Sequence, residues 1–147
     1  MRRWILPSTV LAAFLLGCQA AFGPARPSWP PLPRGHFMHV GTFLQVSGTA
    51  APDPKTSSVT QQIALSRDEA LADARRRLRR YIAALPLGGG MTAGLRMKKS
   101  KEFRRSVEQM IRSAAIVSTE WDDDGTAVVL IRVDKRRINK ILGAQFR

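Results

Sequence analysis

The stretch that decides the fold is SRDEALADARRRLRRYIAAL, residues Ser66–Leu85. Its apolar residues recur every three or four positions, which places them on one face of a helix. They are Leu71, Ala74, Leu78, Ile82 and Leu85. Ser66 followed by Glu69 is a capping-box pattern that predicts the start of the helix, and Pro86 with the glycines at 88–90 predicts its end. We therefore expect an amphipathic helix that buries its apolar face against other elements.

The segments on either side of this helix predict a strand and a loop. Residues 36–50 alternate in polarity as a half-buried strand does. The expected core side of that strand consists of Met38, Val40, Thr42, Leu44 and Val46. Residues 86–99 contain the run of glycines and predict a mobile loop.

The C-terminal third of the chain predicts a helix, a hairpin and a final helix. Residues 100–113 have a helical apolar stripe, which continues one position past the helix. The stripe consists of Phe103, Val107, Met110 and Ala114. A hairpin is predicted because the Asp-Gly step in Asp122–Gly125 is a strong turn signal. Its two expected arms are Ile116–Trp121 and Thr126–Val133. Asp134 is placed to cap the last helix, whose inner residues are Ile138, Ile141 and Leu142, and Gly143 is placed to end it.

The predicted order is strand, helix, helix, strand, strand, helix. A layer of helices on one face of a small, mainly antiparallel sheet is the natural way to bury these apolar stripes. The sequence therefore predicts an α+β fold for residues 36–147.

The N-terminus predicts an export signal. Arg2 and Arg3 precede the apolar run Trp4–Leu16, and the small residue Gly17 stands before Cys18, the single cysteine of the chain. These parts are typical of a secretory signal peptide, and the run is too short to cross a membrane as a helix. We expect residues 1–17 to be a signal peptide that is cleaved between Gly17 and Cys18. An ordinary signal with an incidental cysteine, or an uncleaved anchor, is the alternative.

The stretch LLGC, which ends at Cys18, resembles the bacterial lipobox. That resemblance implies a diacylglycerol thioether on Cys18, which removes the thiol from catalysis, disulfides and metal binding. A stable anchor needs more than one acyl chain. The next residue is Gln19 rather than aspartate, which favours the outer membrane with the domain facing the periplasm.

Residues 18–35 predict a lipidated cysteine followed by a tether. Five prolines restrict the backbone there and favour an extended polyproline II spacer. They are Pro24, Pro27, Pro30, Pro31 and Pro33. A proline-recognition motif at residues 29–33 is the alternative to a plain spacer.

The mature chain is strongly basic. Without the signal peptide, 22 of the 24 basic residues and all 11 acidic residues remain, which gives a net charge of +11. A charge of this size indicates anionic partners rather than a particular fold. The possible anion-binding residues are Arg75, Arg76, Arg77, Arg79 and Arg80. Their alternative is the solvated outer face of a packed helix, on which Asp73 pairs with Arg76 and Arg77.

The remaining candidates for chemistry predict structure rather than catalysis. His36 and His39 are three positions apart on a strand, which points them to opposite faces and makes them a poor metal pair. The aspartates at 122–124 lack the register of a calcium loop and predict a turn. We expect no metal, no cofactor and no catalytic set, and hence no enzyme. No nucleic acid partner is expected, because interleaved aromatic residues are missing and only Tyr81 is near the arginines.

Three segments resemble the Lpp-twenty family of bacterial lipoproteins, which has kinship to the N-terminal domain of flagellar assembly protein T and to flagellar lipoprotein P. They are VSGTA at 46–50, ALADARRRL at 70–78 and AIVSTEWDDDGTAVVLI at 115–131. The resemblance implies an envelope lipoprotein without a known reaction, and some members of the family serve flagellar or outer-membrane assemblies. The arginine load and the proline tether depart from the family pattern.

Three functions remain in competition. The first is a non-enzymatic, lipid-anchored structural or assembly module of the envelope, with envelope or flagellar proteins as partners. The second is a basic binding module for anionic lipid or lipopolysaccharide phosphates. The third, a cytoplasmic nucleic-acid binder, requires the signal-peptide interpretation to be wrong.

Overall fold

A computed structural model of the chain describes Trp29, residues 35–144 and Phe146. Its elements are β1 (Phe37–Val40), β2 (Phe43–Ala50), α1 (Val59–Ala84), β3 (Pro86–Gly88), β4 (Met91–Thr92), α2 (Ala93–Lys99), α3 (Lys101–Arg112), β5 (Ala115–Trp121), β6 (Ala127–Asp134) and α4 (Lys135–Leu142). The main sheet is antiparallel in the order β1-β2-β6-β5, and the helices pack against it. The predicted α+β fold is therefore confirmed. The predicted signal peptide and Cys18 lie outside the described residues.

The centre of the core is the crossing of α1 over β2 and β6. Alternate residues of these two strands are buried, as expected for a sheet with one covered face. Ala70 and Ala74 let the helix approach the backbone of Gly48 closely. The buried residues of α1 are Ser66, Ala70, Ala74, Leu78, Tyr81 and Ile82.

The predicted start of α1 at Ser66 is wrong. The helix begins seven residues earlier, at Val59, and Ser58 caps it by accepting a hydrogen bond from the Gln61 backbone N–H. Ser58 and Gln61 have the same capping-box spacing as Ser66 and Glu69. Ser66 is buried inside the helix, where its hydroxyl donates to the carbonyl of Ile63 and is thereby satisfied without ending the helix.

The single strand predicted over residues 36–50 is a hairpin. Gly41 has a φ of +55° in the two-residue turn between β1 and β2, and Val40 is paired with Phe43. Such a turn changes which sequence parity faces the core, because paired residues lie on the same face of the sheet. Leu44 is buried as predicted, whereas Met38 and Val40 are 52% and 42% exposed.

The mobile loop predicted over residues 86–99 is also wrong. It contains the β3–β4 hairpin and the helix α2, whose first turn is capped by the side chain of Thr92. Ala93 and Met97 anchor α2 in the core. Elements this short have weak local signals, and tertiary burial determines that they form.

The elements predicted for the C-terminal third are confirmed, although two of their predicted inner residues, Ala114 and Ile141, are only partly buried. The helix α3 buries the predicted Phe103, Val107 and Met110. The strands β5 and β6 form the predicted hairpin. Asp134 caps α4 by accepting from the Arg136 backbone N–H, and Gly143 ends this helix in the left-handed conformation.

Candidate functional site

The arginine run of α1 consists of the arginines within residues 75–80, and two of them pair with an acidic residue of the same helix. Arg77 Nε donates to Asp73 Oδ2 at 2.6 Å, and Arg76 Nη2 lies 3.5 Å from Asp73 Oδ1. This is the pairing that the spacing predicts. Partial burial alone would raise the pKa of Asp73, but hydrogen bonds from Arg77 and from the Thr49 backbone N–H outweigh it and hold the pKa below its usual value.

A second pair joins two helices. Arg79 of α1 donates through Nε and Nη2 to the two carboxylate oxygens of Glu108 in α3, at 2.8 and 2.6 Å. This bidentate geometry is the strong form of an ion pair. The hydrogen bond from Arg79 lowers the pKa of Glu108, with smaller contributions in the same direction from the charges of Arg112 and Arg104.

The next two candidate arginines, Arg75 and Arg80, differ in whether they have a protein partner. Arg75 Nη2 donates to the carbonyl of Arg112 at the end of α3, at 3.1 Å. Arg80 is exposed and has no hydrogen-bond or ion-pair partner within the described residues. Three of the five predicted anion-binding arginines therefore contact protein oxygens closely, namely Arg75, Arg77 and Arg79. Only Arg76 and Arg80 present largely open guanidinium groups.

The pair between α1 and α3 gives a pH-dependent contribution to stability. The pKa of Glu108 is lower in the folded chain, so this stabilisation is present above the ordinary carboxylate pKa and is lost as pH falls through the folded value. We expect Glu108→Gln to reduce the unfolding free energy at neutral pH by about 1 kcal/mol. The difference from wild type should shrink in acid. Urea unfolding at several pH values measures this, and a pH-independent difference would contradict it.

The exposed cations that lack an acidic partner in the described residues are concentrated on the shorter helices. Arg136 Nη2 lies 3.2 Å from Oδ2 of Asp134, the residue that caps α4. Lys135 Nζ donates to the carbonyl of Gly41. Arg137 and Lys140 are exposed, and neither has an ion-pair partner in the described part of the chain. Further exposed cations on α2 and α3 are Lys98, Lys99, Lys101, Arg104 and Arg105.

Trp29 contacts the folded domain, although the sequence assigns it to the tether. Its ring lies 5.1 Å from that of Phe146 and 6.1 Å from that of His39, measured between centroids. The carbonyl of Phe146 accepts from Asn139 Nδ2 of α4 at 2.9 Å. Sequence reasoning missed this contact, and the isolated tryptophan in a proline-rich stretch is the one signal that points to it.

Acidic residues lie just before β6, at the end of this strand that is away from α4. The predicted turn at Asp122–Gly125 is confirmed by a hydrogen bond from the Gly125 N–H to the Asp122 carbonyl. A shallow groove of about 320 Å³ beside it is lined by the exposed side chains of Val59, Ile63 and Trp121, among others. Among the described residues, no group of three or more histidine, cysteine or acidic side chains is placed to hold a metal ion.

The histidines lie on different faces of the sheet, as predicted. His36 Nδ1 is 3.4 Å from Ser47 Oγ on the outer face, and no carboxylate contacts His36 within the described range. His39 lies beside Trp29, and its pKa is lowered by partial burial and by the charge of Lys135. Among the described residues, neither histidine has the oriented partners of a nucleophile–base–acid arrangement.

Two further findings concern membrane-spanning helices and similarity to known proteins. Within residues 35–144 and the two flanking described positions, no helix is both long and apolar enough to cross a membrane. Comparison of the chain with family models, curated proteins and solved structures gives no significant match. The resemblance to the Lpp-twenty family therefore stays a prediction.

Proposed function

We propose that the chain is a lipid-anchored lipoprotein of the outer membrane that faces the periplasm and acts without catalysis, as a structural or assembly module. The observation that carries this proposal is the lipobox-like stretch Leu15–Cys18 at the end of the apolar run Trp4–Leu16. The basic residues Arg2 and Arg3 before the run complete the signal.

The contact of Trp29 with the domain supports a role close to the membrane. Trp29 stands eleven residues after Cys18. A chain of that length spans at most about 40 Å when fully extended. A lipid on Cys18 would thus keep the domain within about 40 Å of the bilayer, where envelope or flagellar proteins such as those served by the Lpp-twenty family are within reach.

Fatty-acid labelling tests the anchor directly. We expect wild type to incorporate labelled fatty acid and to fractionate with the outer membrane, and Cys18→Ser to lose both properties almost completely, because the thioether cannot form. Gln19→Ala is the matched control, since it changes the neighbouring residue and keeps the thiol. It should remain labelled and membrane-bound.

Two results would contradict this proposal. An unlabelled, soluble wild-type protein would remove the anchor and favour the nucleic-acid binder. A hydrolase activity of the purified chain that Ser47→Ala abolishes without unfolding it would remove the non-enzymatic role, because the Ser47 hydroxyl lies 3.4 Å from His36 Nδ1.

The second candidate function is binding of anionic lipid or lipopolysaccharide phosphates. The observation that favours it is the set of exposed cations that lack acidic partners in the described residues, including Arg80, Arg137 and Lys140. Guanidinium groups match phosphate oxygens in bidentate geometry. This function and the lipid anchor are compatible in one molecule.

A further inference from the structure

We propose that α4 is the face of the domain that contacts the bilayer, where its cations bind the headgroups of anionic phospholipids, and that Trp29 fixes this orientation. The inference rests on the proposed lipid anchor. It assigns the anion-binding surface to α4 rather than to the arginine run of α1.

The first argument is the distribution of charge along β6. This strand joins the acidic turn to α4, and its eight residues separate the two ends by roughly 23 Å. One end carries Asp122, Asp123 and Asp124. Pro52 and Gly125 line the same groove there, which brings the loop with Asp53 to this end. The other end carries α4, with four cations in eight residues and no acidic side chain within the helix.

The second argument is where the tether meets the domain. Trp29 packs against Phe146, whose carbonyl is held by Asn139 of α4. His39, the other ring beside Trp29, belongs to β1 near the turn that Lys135 contacts. A chain that leads from Cys18 in the membrane therefore reaches the domain beside α4, and the acidic end lies on the far side.

The third argument concerns which cations remain available. Arg137 and Lys140 have no acidic partner in the described part of the chain, whereas Arg77 and Arg79 on α1 are paired at 2.6 Å. A lysine or arginine near an anionic surface strengthens binding by about fivefold. That attraction acts within about 10 Å at 0.1 M salt, so it requires the short approach that the Trp29 contact provides.

Native lysines provide the test without a mutation. Lys140 on α4 and Lys55 at the acidic end are both exposed. Mature lipidated protein is placed on neutral phosphatidylcholine vesicles or on vesicles that also contain phosphatidylglycerol. Amine acetylation of both lysines is then followed by mass spectrometry. We expect phosphatidylglycerol to slow modification of Lys140 about fivefold relative to Lys55, and high salt to remove the difference.

Matched variants separate the two helices. Arg137→Gln and Arg80→Gln each remove one exposed cation without an acidic partner in the described residues. Arg137→Gln should weaken the protection of Lys140, and Arg80→Gln should leave it unchanged. Trp29→Ala, checked for folding by circular dichroism, should equalise Lys140 and Lys55. The opposite ranking of the two arginine variants would return the site to α1 and overturn the proposal.

The remaining outcomes distinguish orientation from anchoring. Co-flotation with the neutral phosphatidylcholine vesicles reports the lipid anchor by itself, because these vesicles offer no anionic headgroups to α4. Floating protein with equal protection of Lys140 and Lys55 overturns the orientation and leaves the anchor intact, while protein that does not float overturns both. Protection of Lys140 on neutral vesicles with inorganic phosphate alone would indicate a free-anion site and overturn the headgroup assignment.

Discussion

Replacing Gly48 with alanine is expected to lower the unfolding free energy by about 3–5 kcal/mol. A Cβ at this position would lie 2.2 Å from the carbonyl oxygen of Ala70 and 2.2 Å from the backbone nitrogen of Ala74. Both atoms belong to the backbone of α1, so no side-chain rotation relieves the clash. The helix has to move away from β2, which opens the packing at the centre of the core. Urea unfolding of the purified chain, followed by circular dichroism, measures the loss.

Thr49→Ala is the matched control for this prediction. Thr49 is the next residue in β2, its side chain is exposed, and the hydrogen bond to Asp73 comes from its backbone N–H. The control should change the unfolding free energy by less than about 1 kcal/mol. If Gly48→Ala unfolded at the same urea concentration as Thr49→Ala, the close approach of α1 to β2 would be wrong.

The same glycine shows how far the sequence predicts the fold. The spacing of Ala74 and Leu78 identifies a buried helical face, because a helix repeats locally every 3.6 residues. It does not identify what that face meets. The contact of Ala70 with Gly48 joins positions 22 residues apart, and nothing in the local pattern indicates it. The hairpin turn at Gly41 was missed for a related reason, since alternation continues through it while the face reverses.

The ion pairs of the candidate site likewise include one that local spacing predicts and one that depends on tertiary packing. The Asp73–Arg77 pair follows from the four-residue spacing on one helix and was predicted. The Arg79–Glu108 pair spans two helices and 29 positions, for which no spacing rule exists. Arginines that look equally free in a sequence therefore differ in the structure, because packing places a carboxylate beside some of them. The contact of Trp29 is likewise a tertiary contact within a stretch whose composition predicts only a spacer.

Replacing Ile138 with alanine is expected to lower the unfolding free energy by about 2–5 kcal/mol. Ile138 is fully buried, and with Leu142 it holds α4 on the core. A helix of eight residues is not stable in isolation, so α4 depends on this docking. We therefore expect the amides of α4 to lose hydrogen-exchange protection before those of α1. Urea unfolding gives the first quantity, and hydrogen exchange with mass spectrometry gives the second.

Ile141→Ala provides the control, because Ile141 is on the same helix and only partly buried. It should cost less than half as much as Ile138→Ala. Both variants keep every charge of α4, which separates helix docking from charge number. If α4 binds the bilayer as a docked helix, Ile138→Ala should lose the slower modification of Lys140 on anionic vesicles, and Ile141→Ala should keep it. Equal protection of Lys140 in both would mean that charge alone directs the chain to the membrane, whatever the fold of α4.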